Sequence, residues 1–157
     1  MIEIERKFLV TSDAFKIEST KQATFEQGYL NTDPARSVRI RLVDGKAILT
    51  IKGASSKNGL SRFEWETEIP LKEGKALLSL CEPGMISKTR YFVPAGPHIF
   101  EVDIFQGENA GLILAEIELG SEDENYHRPA WLGREVTGDA RYYNSALSKK
   151  PFKTWTS

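Results

Sequence analysis

Acidic residues recur in this chain in pairs separated by one position: Glu3/Glu5, Glu64/Glu66, Glu101/Asp103 and Glu116/Glu118. Basic residues do the same at Arg39/Arg41 and Lys88/Arg90. In a strand this spacing puts both members of a pair on one face. Like charges side by side repel, which costs stability unless a counter-ion offsets them. Several acidic pairs converging on one surface invite a hard divalent cation with oxygen ligands, Mg²⁺ or Mn²⁺. Several basic pairs facing the same space invite a polyanion, because arginine offers forked donors to phosphate oxygens. A surface that calls for both suits a metal–phosphate substrate.

A plainer reading applies to any strand taken alone. An antiparallel sheet often keeps one face in water, where charged pairs mean only solubility and cross-strand ion pairs. The sorting of charge by sign argues for more. A solvated face mixes its signs and carries Ser, Thr and Gln, whereas the pairs here are segregated. A sheet closed with this face inward would have a charged lumen and an apolar exterior that helices must partly cover.

Eight runs alternate with a period of two and are separated by turn residues: 2–10, 24–32, 37–43, 47–53, 61–69, 86–93, 98–105 and 112–119. They suffice for an antiparallel sheet able to close into a barrel. Asp44-Gly45 suits a two-residue hairpin loop, in which positive φ is needed. That loop pairs Val43 with Lys46, Arg41 with Ile48, Arg39 with Thr50 and Ser37 with Lys52. Arg39, Arg41, Thr50 and Lys52 then share one face of the hairpin, and Val38, Ile40, Leu42, Ala47, Leu49 and Ile51 make the other wholly apolar. Helical spacing predicts a helix over 71–82, interrupted by Gly74, and a short turn capped by Ser12-Asp13 through Ile17. A capped helix is expected over 139–150. The tail PFKTWTS either packs its aromatics or frays.

At 157 residues the chain is most simply one domain, 1–157, with a core of useful size. A formal net charge of −1 gives no bias toward nucleic acid or an anionic membrane. The lone Cys81 reads as a small buried hydrophobe and favours a reducing, cytoplasmic setting. The charged N-terminus is unlike a signal peptide, and no apolar run approaches the roughly 18 residues of a membrane span. His98 and His127 have no ligand-spaced neighbours, so a zinc site is not expected, and both are read as loop residues.

In order along the chain, Glu3-x-Glu5-x-Lys7 is followed by QGYL at 27–30, R-x-R at 39–41, T-x-K at 50–52 and GLSRFEWE at 59–66. KTRY at 88–91, E-x-D at 101–103, E-x-E at 116–118 and EVTGDARYYN at 135–144 complete the series. As an ordered set these motifs resemble the CYTH superfamily, the triphosphate tunnel metalloenzymes, in its short single-domain bacterial form. The resemblance implies a mainly β fold of α+β type, an eight-stranded antiparallel β-barrel tunnel with a few flanking helices including a C-terminal one. It also implies a metal-binding set of Glu3, Glu5, Asp103, Glu116 and Glu118 with Glu64 and Glu66 as further candidates, Glu66 the stronger. The phosphate clamp would be Lys7, Arg39, Arg41, Lys52, Arg62, Lys88 and Arg90, with Arg141 closing one end. Glu101 fits a solvent-facing role equally well.

The activity implied is hydrolysis of inorganic triphosphate to pyrophosphate and phosphate with Mg²⁺ or Mn²⁺. Lys88 and Tyr29 are the pair expected to act on the attacking water, with surrounding cations lowering both pKa values and favouring alkaline conditions. Lys88 as a pure phosphate ligand and Tyr29 as a barrel-wall aromatic are the alternatives. A class IV-type adenylyl cyclase and a thiamine triphosphatase use the same fold, which cannot separate them. A non-catalytic polyphosphate-binding module would keep the clamp without needing the acids. The expected partner is a small triphosphate, with neither nucleic acid nor membrane, and a homodimer stays open.

Overall fold

The computed structural model describes residues 2–155. The ends of the expected 1–157 domain, and Thr156 and Ser157 of the tail, lie outside the described residues. Strands β1 (Ile2–Val10), β2 (Lys21–Asn31), β3 (Arg36–Val43), β4 (Lys46–Ser55) and β5 (Ser61–Ile69) are followed by β6 (Ile86–Ala95), β7 (His98–Phe105) and β8 (Ile113–Glu118). They pair antiparallel in the order β5-β4-β3-β2-β6-β7-β8-β1, and β1 returns to β5, closing an eight-stranded barrel. Closure removes the free edges that an open sheet of this size would expose.

The β3–β4 hairpin has the register that Asp44-Gly45 dictates. Val43 faces Lys46, Arg41 faces Ile48, Arg39 faces Thr50 and Ser37 faces Lys52. Both turn residues have positive φ, 50° and 71°, as a right-twisted two-residue loop demands.

A ninth strand, β9 (Leu132–Glu135), was not expected. Four residues including a glycine are too few to show alternation. It forms because β1 leaves β5 after Ile4 and bares an edge, which β9 takes up through Phe8↔Glu135 and Val10↔Leu132. Arg6, on the outer face of β1, pairs with Glu135 at 2.9 Å and donates to the Glu122 carbonyl at 2.9 Å.

Two apolar clusters hold the barrel. One covers the outside of β1, β6, β7 and β8 and is built on Phe8, Phe100, Val102, Ile117 and Trp131. Phe15 of α1 (Phe15–Glu18) stacks edge-on against Tyr91 and Trp131. The other cluster joins Ile86, Phe105 and Leu114, which point inward by strand parity, to Val136, Tyr142 and Leu147 of the C-terminal segment. That segment therefore fills one end of the lumen with apolar side chains. On the outer wall of β2–β4 lies α2 (Leu71–Leu78), where Gly74 permits contact: a Cβ there would stand 2.2 Å from that of Ala47.

Three local expectations are corrected. The helix expected over 71–82 ends at Leu78, where the Ser79 hydroxyl turns back to the Ala76 carbonyl at 2.6 Å. His98 opens β7 and pairs with Glu124, leaving His127 as the loop histidine. The helix expected over 139–150 is broken. Asp139 accepts from the Arg141 amide and starts a 3₁₀ turn at Ala140–Tyr142, Tyr143 is extended (φ −69°, ψ 137°), and α3 runs over Asn144–Lys149. Cys81 is half-buried, its Sγ within reach of the Leu77 carbonyl.

The C-terminal segment is seated on the β4–β5 loop at Gly59, whose φ is 76° and where a Cβ would stand 2.2 Å from the Gly138 Cα. Gly45 has a similar φ of 71° but open space around it. Gly45→Ala should therefore cost about 1 kcal/mol, for the left-handed backbone alone. Gly59→Ala should cost about 1–3 kcal/mol more, because backbone must move. Urea unfolding of the two variants measures the difference, and equal losses would mean that the Gly59–Gly138 contact holds nothing.

Candidate active site

The strand faces that alternation assigns to the interior line one cavity of about 680 Å³, part of it open to solvent. Glu3, Glu5 and Lys7 enter from β1, Tyr29 from β2, Arg39 and Arg41 from β3, and Lys52 from β4. Arg62 comes from β5, Lys88 and Arg90 from β6, Glu116 from β8, and Tyr143, Asn144 and Ser145 from the C-terminal segment. Two groups that sequence spacing suggests as separate, acids for metal and bases for phosphate, are here interleaved across strands. Lys52 Nζ lies 3.0 Å from Glu3 and 3.2 Å from Glu64, and Lys7 Nζ lies 3.5 Å from Glu116.

Asp103 anchors the cationic wall. Its Oδ1 accepts from Arg90 Nε at 2.7 Å, and its Oδ2 accepts from Arg90 Nη2 at 2.9 Å and stands 2.7 Å from Lys88 Nζ. Burial alone would raise the Asp103 carboxyl, but Arg90 and Lys88 outweigh it and hold it below its ordinary value. Both oxygens are thus committed to cations, and Asp103 does not line the cavity. Glu101 supports the same wall, 3.1 Å from Arg90 Nη1.

The remaining cations are held less tightly. Arg41 donates from Nε to Gln27 Oε1 at 2.8 Å and lies 4.4 Å over the Phe25 ring. Among the described residues it has no carboxylate within ion-pair distance, and burial, with Arg39 and Arg90 nearby, lowers its pKa to about 9. Arg39 reaches Thr50 Oγ1 at 3.1 Å and Glu66 at 3.8 Å, while its buried Nε has no hydrogen-bond partner among the described residues. Arg62 turns back to the Gly53 carbonyl at 3.0–3.1 Å.

At the acidic side, burial together with Glu116 and Glu3 raises the Glu5 carboxyl well above its ordinary value, and burial raises Glu3 despite Lys52. Glu116 is shifted the other way: burial would raise it, but Lys7, Arg90 and Lys88 prevail and hold it well below. Glu118 faces Glu5 across β1–β8 and is exposed. Among the described residues no three acid, His or Cys side chains already converge as a metal cage. The donors are nonetheless all oxygens, and the crowding that raises Glu5 is relieved by a cation, so Glu3, Glu5 and Glu116 fit a hard divalent ion.

Besides Asp103, Arg141 and Tyr29 sit differently from expectation. Arg141 is exposed, paired with Asp139 at 2.7 Å, and lines a separate surface pocket with Trp155, so it is not brought to the cavity. Tyr29 is buried in the cavity wall, but among the described residues its hydroxyl is not bonded to Lys88. The ammonium of Lys88 instead meets Asp103 and donates to Asn144 Oδ1 at 2.8 Å. Gln27, quoted only within QGYL, is fully buried beside Arg41. Strand parity could have found it, since Gln27 shares a face with Tyr29. Tyr143 and Asn144 carry no such signal, because a continuous helix would have aimed them in different directions.

A family model described as the CYTH domain matches residues 1–149. The chain belongs to the CYTH family. It is 47% identical over 154 residues to an inorganic triphosphatase of Acetivibrio thermocellus, covering 98% of this chain and 97% of that one. It is 40% identical over 154 residues to an inorganic triphosphatase of Nitrosomonas europaea, covering 94% and 97%. Among solved structures, the crystal structure of an inorganic triphosphatase superimposes with a TM-score of 0.65 at 34% identity, covering 93% of each chain. A Hippeastrum protein described as a putative adenylyl cyclase with a dominant triphosphatase activity shares the CYTH barrel, with a TM-score of 0.61 over 76% of this chain and 80% of that one. Its identity of 17% makes this a likeness of fold.

If Asp103 compensates the buried cations, removing its charge should unbalance the core of the CYTH barrel. Asp103→Asn should destabilise the protein by about 3–5 kcal/mol near pH 7, the cost of leaving buried charges without their partner. The folded-state pKa of Asp103 is depressed, so its stabilisation is present above its unfolded value of about 4 and is lost as pH falls through the folded pKa. Denaturant melts at pH 7 and pH 3 should show a wide gap between wild type and variant at pH 7 and a narrower one at pH 3.

Proposed function

We propose that this chain is an inorganic triphosphatase, hydrolysing tripolyphosphate to pyrophosphate and phosphate inside the barrel. The observation that carries this reading is Arg41: a buried guanidinium beside Arg39 and Arg90 with no carboxylate of its own among the described residues. Such a group calls for an anion from outside. A polyphosphate supplies several negative oxygens in a row to meet Arg39, Arg41, Arg90, Lys88, Lys52 and Lys7.

Two features favour inorganic triphosphate over a nucleoside triphosphate. The inner end of the lumen is filled by the apolar cluster around Leu147 and Tyr142. Tyr143, an aromatic of the cavity wall, has Lys7 and Arg62 at 5.3 and 5.5 Å from its ring, so cations stand where a purine would stack on it.

Hydrolysis needs little covalent participation from the protein, so most of the catalysis is positioning and charge stabilisation. Arg39 and Arg41 fork to phosphate oxygens and bear the charge that builds on the transferring group. Lys88, fixed by Asp103, lies against the same oxygens. A divalent ion, Mg²⁺ or Mn²⁺, held by Glu3, Glu5 and Glu116, with Glu118, Glu64 and Glu66 nearby, would neutralise phosphate charge and acidify a water. Asp103 serves the clamp rather than the metal.

Lys88 is the candidate for moving the proton. Burial, helped by Arg90 and Arg41 and opposed by Asp103, brings its ammonium down to about 7. As pH rises through 7 the neutral amine becomes the main form, so a base role makes kcat rise across that range. A pure phosphate contact makes it fall.

The test is release of phosphate and pyrophosphate from tripolyphosphate with Mg²⁺ or Mn²⁺, run beside ATP and thiamine triphosphate with cyclic AMP measured. Tripolyphosphate should turn over fastest, with activity abolished by EDTA and by Glu3→Gln/Glu5→Gln in a folded protein. The pH profile should rise through about 7 and lose that limb in Lys88→Met. Intact tripolyphosphate with cyclic AMP formed from ATP overturns the reading.

A further inference from the structure

The break at Tyr143 aims three successive residues into the lumen. The Tyr142 carbonyl accepts from Lys7 Nζ at 3.2 Å, the Tyr143 ring stands against Lys7 and Arg62, and Asn144 reaches deeper. The single oxygen Oδ1 of Asn144 accepts from Lys88 Nζ at 2.8 Å and from Gln27 Nε2 at 2.9 Å. Gln27 in turn accepts from Arg41 Nε at 2.8 Å through its own Oε1. These bonds form one chain, Lys88 to Asn144 to Gln27 to Arg41, which joins two cations from opposite sides of β2.

Each link has a fixed direction. Arginine can only donate, so the atom facing Arg41 Nε must be the Gln27 amide oxygen. That fixes the Gln27 amide with its oxygen toward Arg41 and its NH₂ toward Asn144. Gln27 is fully buried, so its amide has no bulk water to take the place of Arg41 and Asn144. Arg41 Nε, once bonded to Gln27, leaves the terminal Nη groups free to turn to a ligand. Asn144 is itself immobilised, because it opens α3, whose Leu147 is fully buried and whose Ser148 hydroxyl donates to the Gly84 carbonyl at 2.8 Å.

We propose that Asn144 and Gln27 are positioning residues, a relay by which the C-terminal segment sets the orientation of Lys88 and Arg41 together. It rests on the reading of these two cations as phosphate contacts. Gln27 lies behind the cavity lining and Asn144 at its wall, and each acts through the cation it holds. Docking of residues 142–145 is then a condition for an ordered clamp, and the segment is part of the site rather than a stopper.

The experiment compares Asn144→Leu, Gln27→Leu, the double variant and Asn144→Asp with wild type, using full-length protein. Steady-state turnover of tripolyphosphate, thermal melts and the NMR resonance of the Arg41 Nε–H group are read for each. Asn144→Leu and Gln27→Leu should each lower kcat about 10–100-fold while Tm moves by less than about 5 °C. The double variant should lose little beyond the worse single one, as for residues acting in one chain. The Arg41 Nε–H resonance should shift in Asn144→Leu although the two residues do not touch. Asn144→Asp keeps an acceptor for both donors, so it should preserve that resonance while its added charge raises KM.

Losses that multiply in the double variant, or an Arg41 resonance indifferent to Asn144→Leu, overturn the relay. Should Asn144→Leu fail to fold, Gln27→Leu and Asn144→Asp decide by the same two readouts. If wild type leaves tripolyphosphate intact, the proposed activity fails by itself, and the Arg41 resonance still tests the relay.

Discussion

The barrel is organised around one electrostatic problem, which is to keep several cations out of bulk water before their ligand arrives. Asp103 is the main solution. It grips Arg90 through both nitrogens of the guanidinium fork and meets Lys88 with one of the same oxygens. Two like charges can then sit side by side on β6 because a carboxylate on β7 lies directly opposite, in register with Arg90. The β6–β7 pairing is thus an electrostatic contact as much as a backbone one, and a one-residue slip would separate the carboxylate from the cations.

Compensation is deliberately incomplete around the lumen. Lys52 and Lys7 are shared with Glu3, Glu64 and Glu116, while Arg41 leans on an amide and an aromatic face. Fully paired cations would give a stable barrel with no appetite for an anion. Unpaired ones would make the interior too costly to fold. The graded arrangement leaves Arg41 and the Nε of Arg39 as the points where an external anion gains most. The acids show the mirror image: Glu116 is satisfied, and Glu5 is crowded by its neighbours.

Closing one end of the barrel links stability to this charge pattern. The cluster of Ile86, Phe105, Leu114, Tyr142 and Leu147 excludes water from the inner end and raises the strength of the charge interactions beside it. The break in the C-terminal helix at Tyr143 is what lets a polar rim, Tyr142 O and Asn144 Oδ1, sit against Lys7 and Lys88 while Leu147 stays apolar and buried.

Alternation by itself determined most of the wall. A period of two assigns each charged side chain to one face, and Asp44-Gly45 fixes the β3–β4 register, so local pattern alone puts Arg39, Arg41 and Lys52 on one face. The ordered motifs pointed to the CYTH family for the same reason, since they are the inward residues of successive strands. What strand periodicity cannot carry is contact across the barrel and contributions from irregular chain. It did not show that Asp103 spends both oxygens on Arg90 and Lys88, because a carboxylate at i, i+2 from another reads the same whether it meets a metal or an arginine. Nor did it show β9, whose pairing exists only because β1 parts from β5, or Asn144, whose helical context in sequence hid a turn into the lumen. Local pattern fixed which way side chains point, and only closure of the chain on itself decided what they meet.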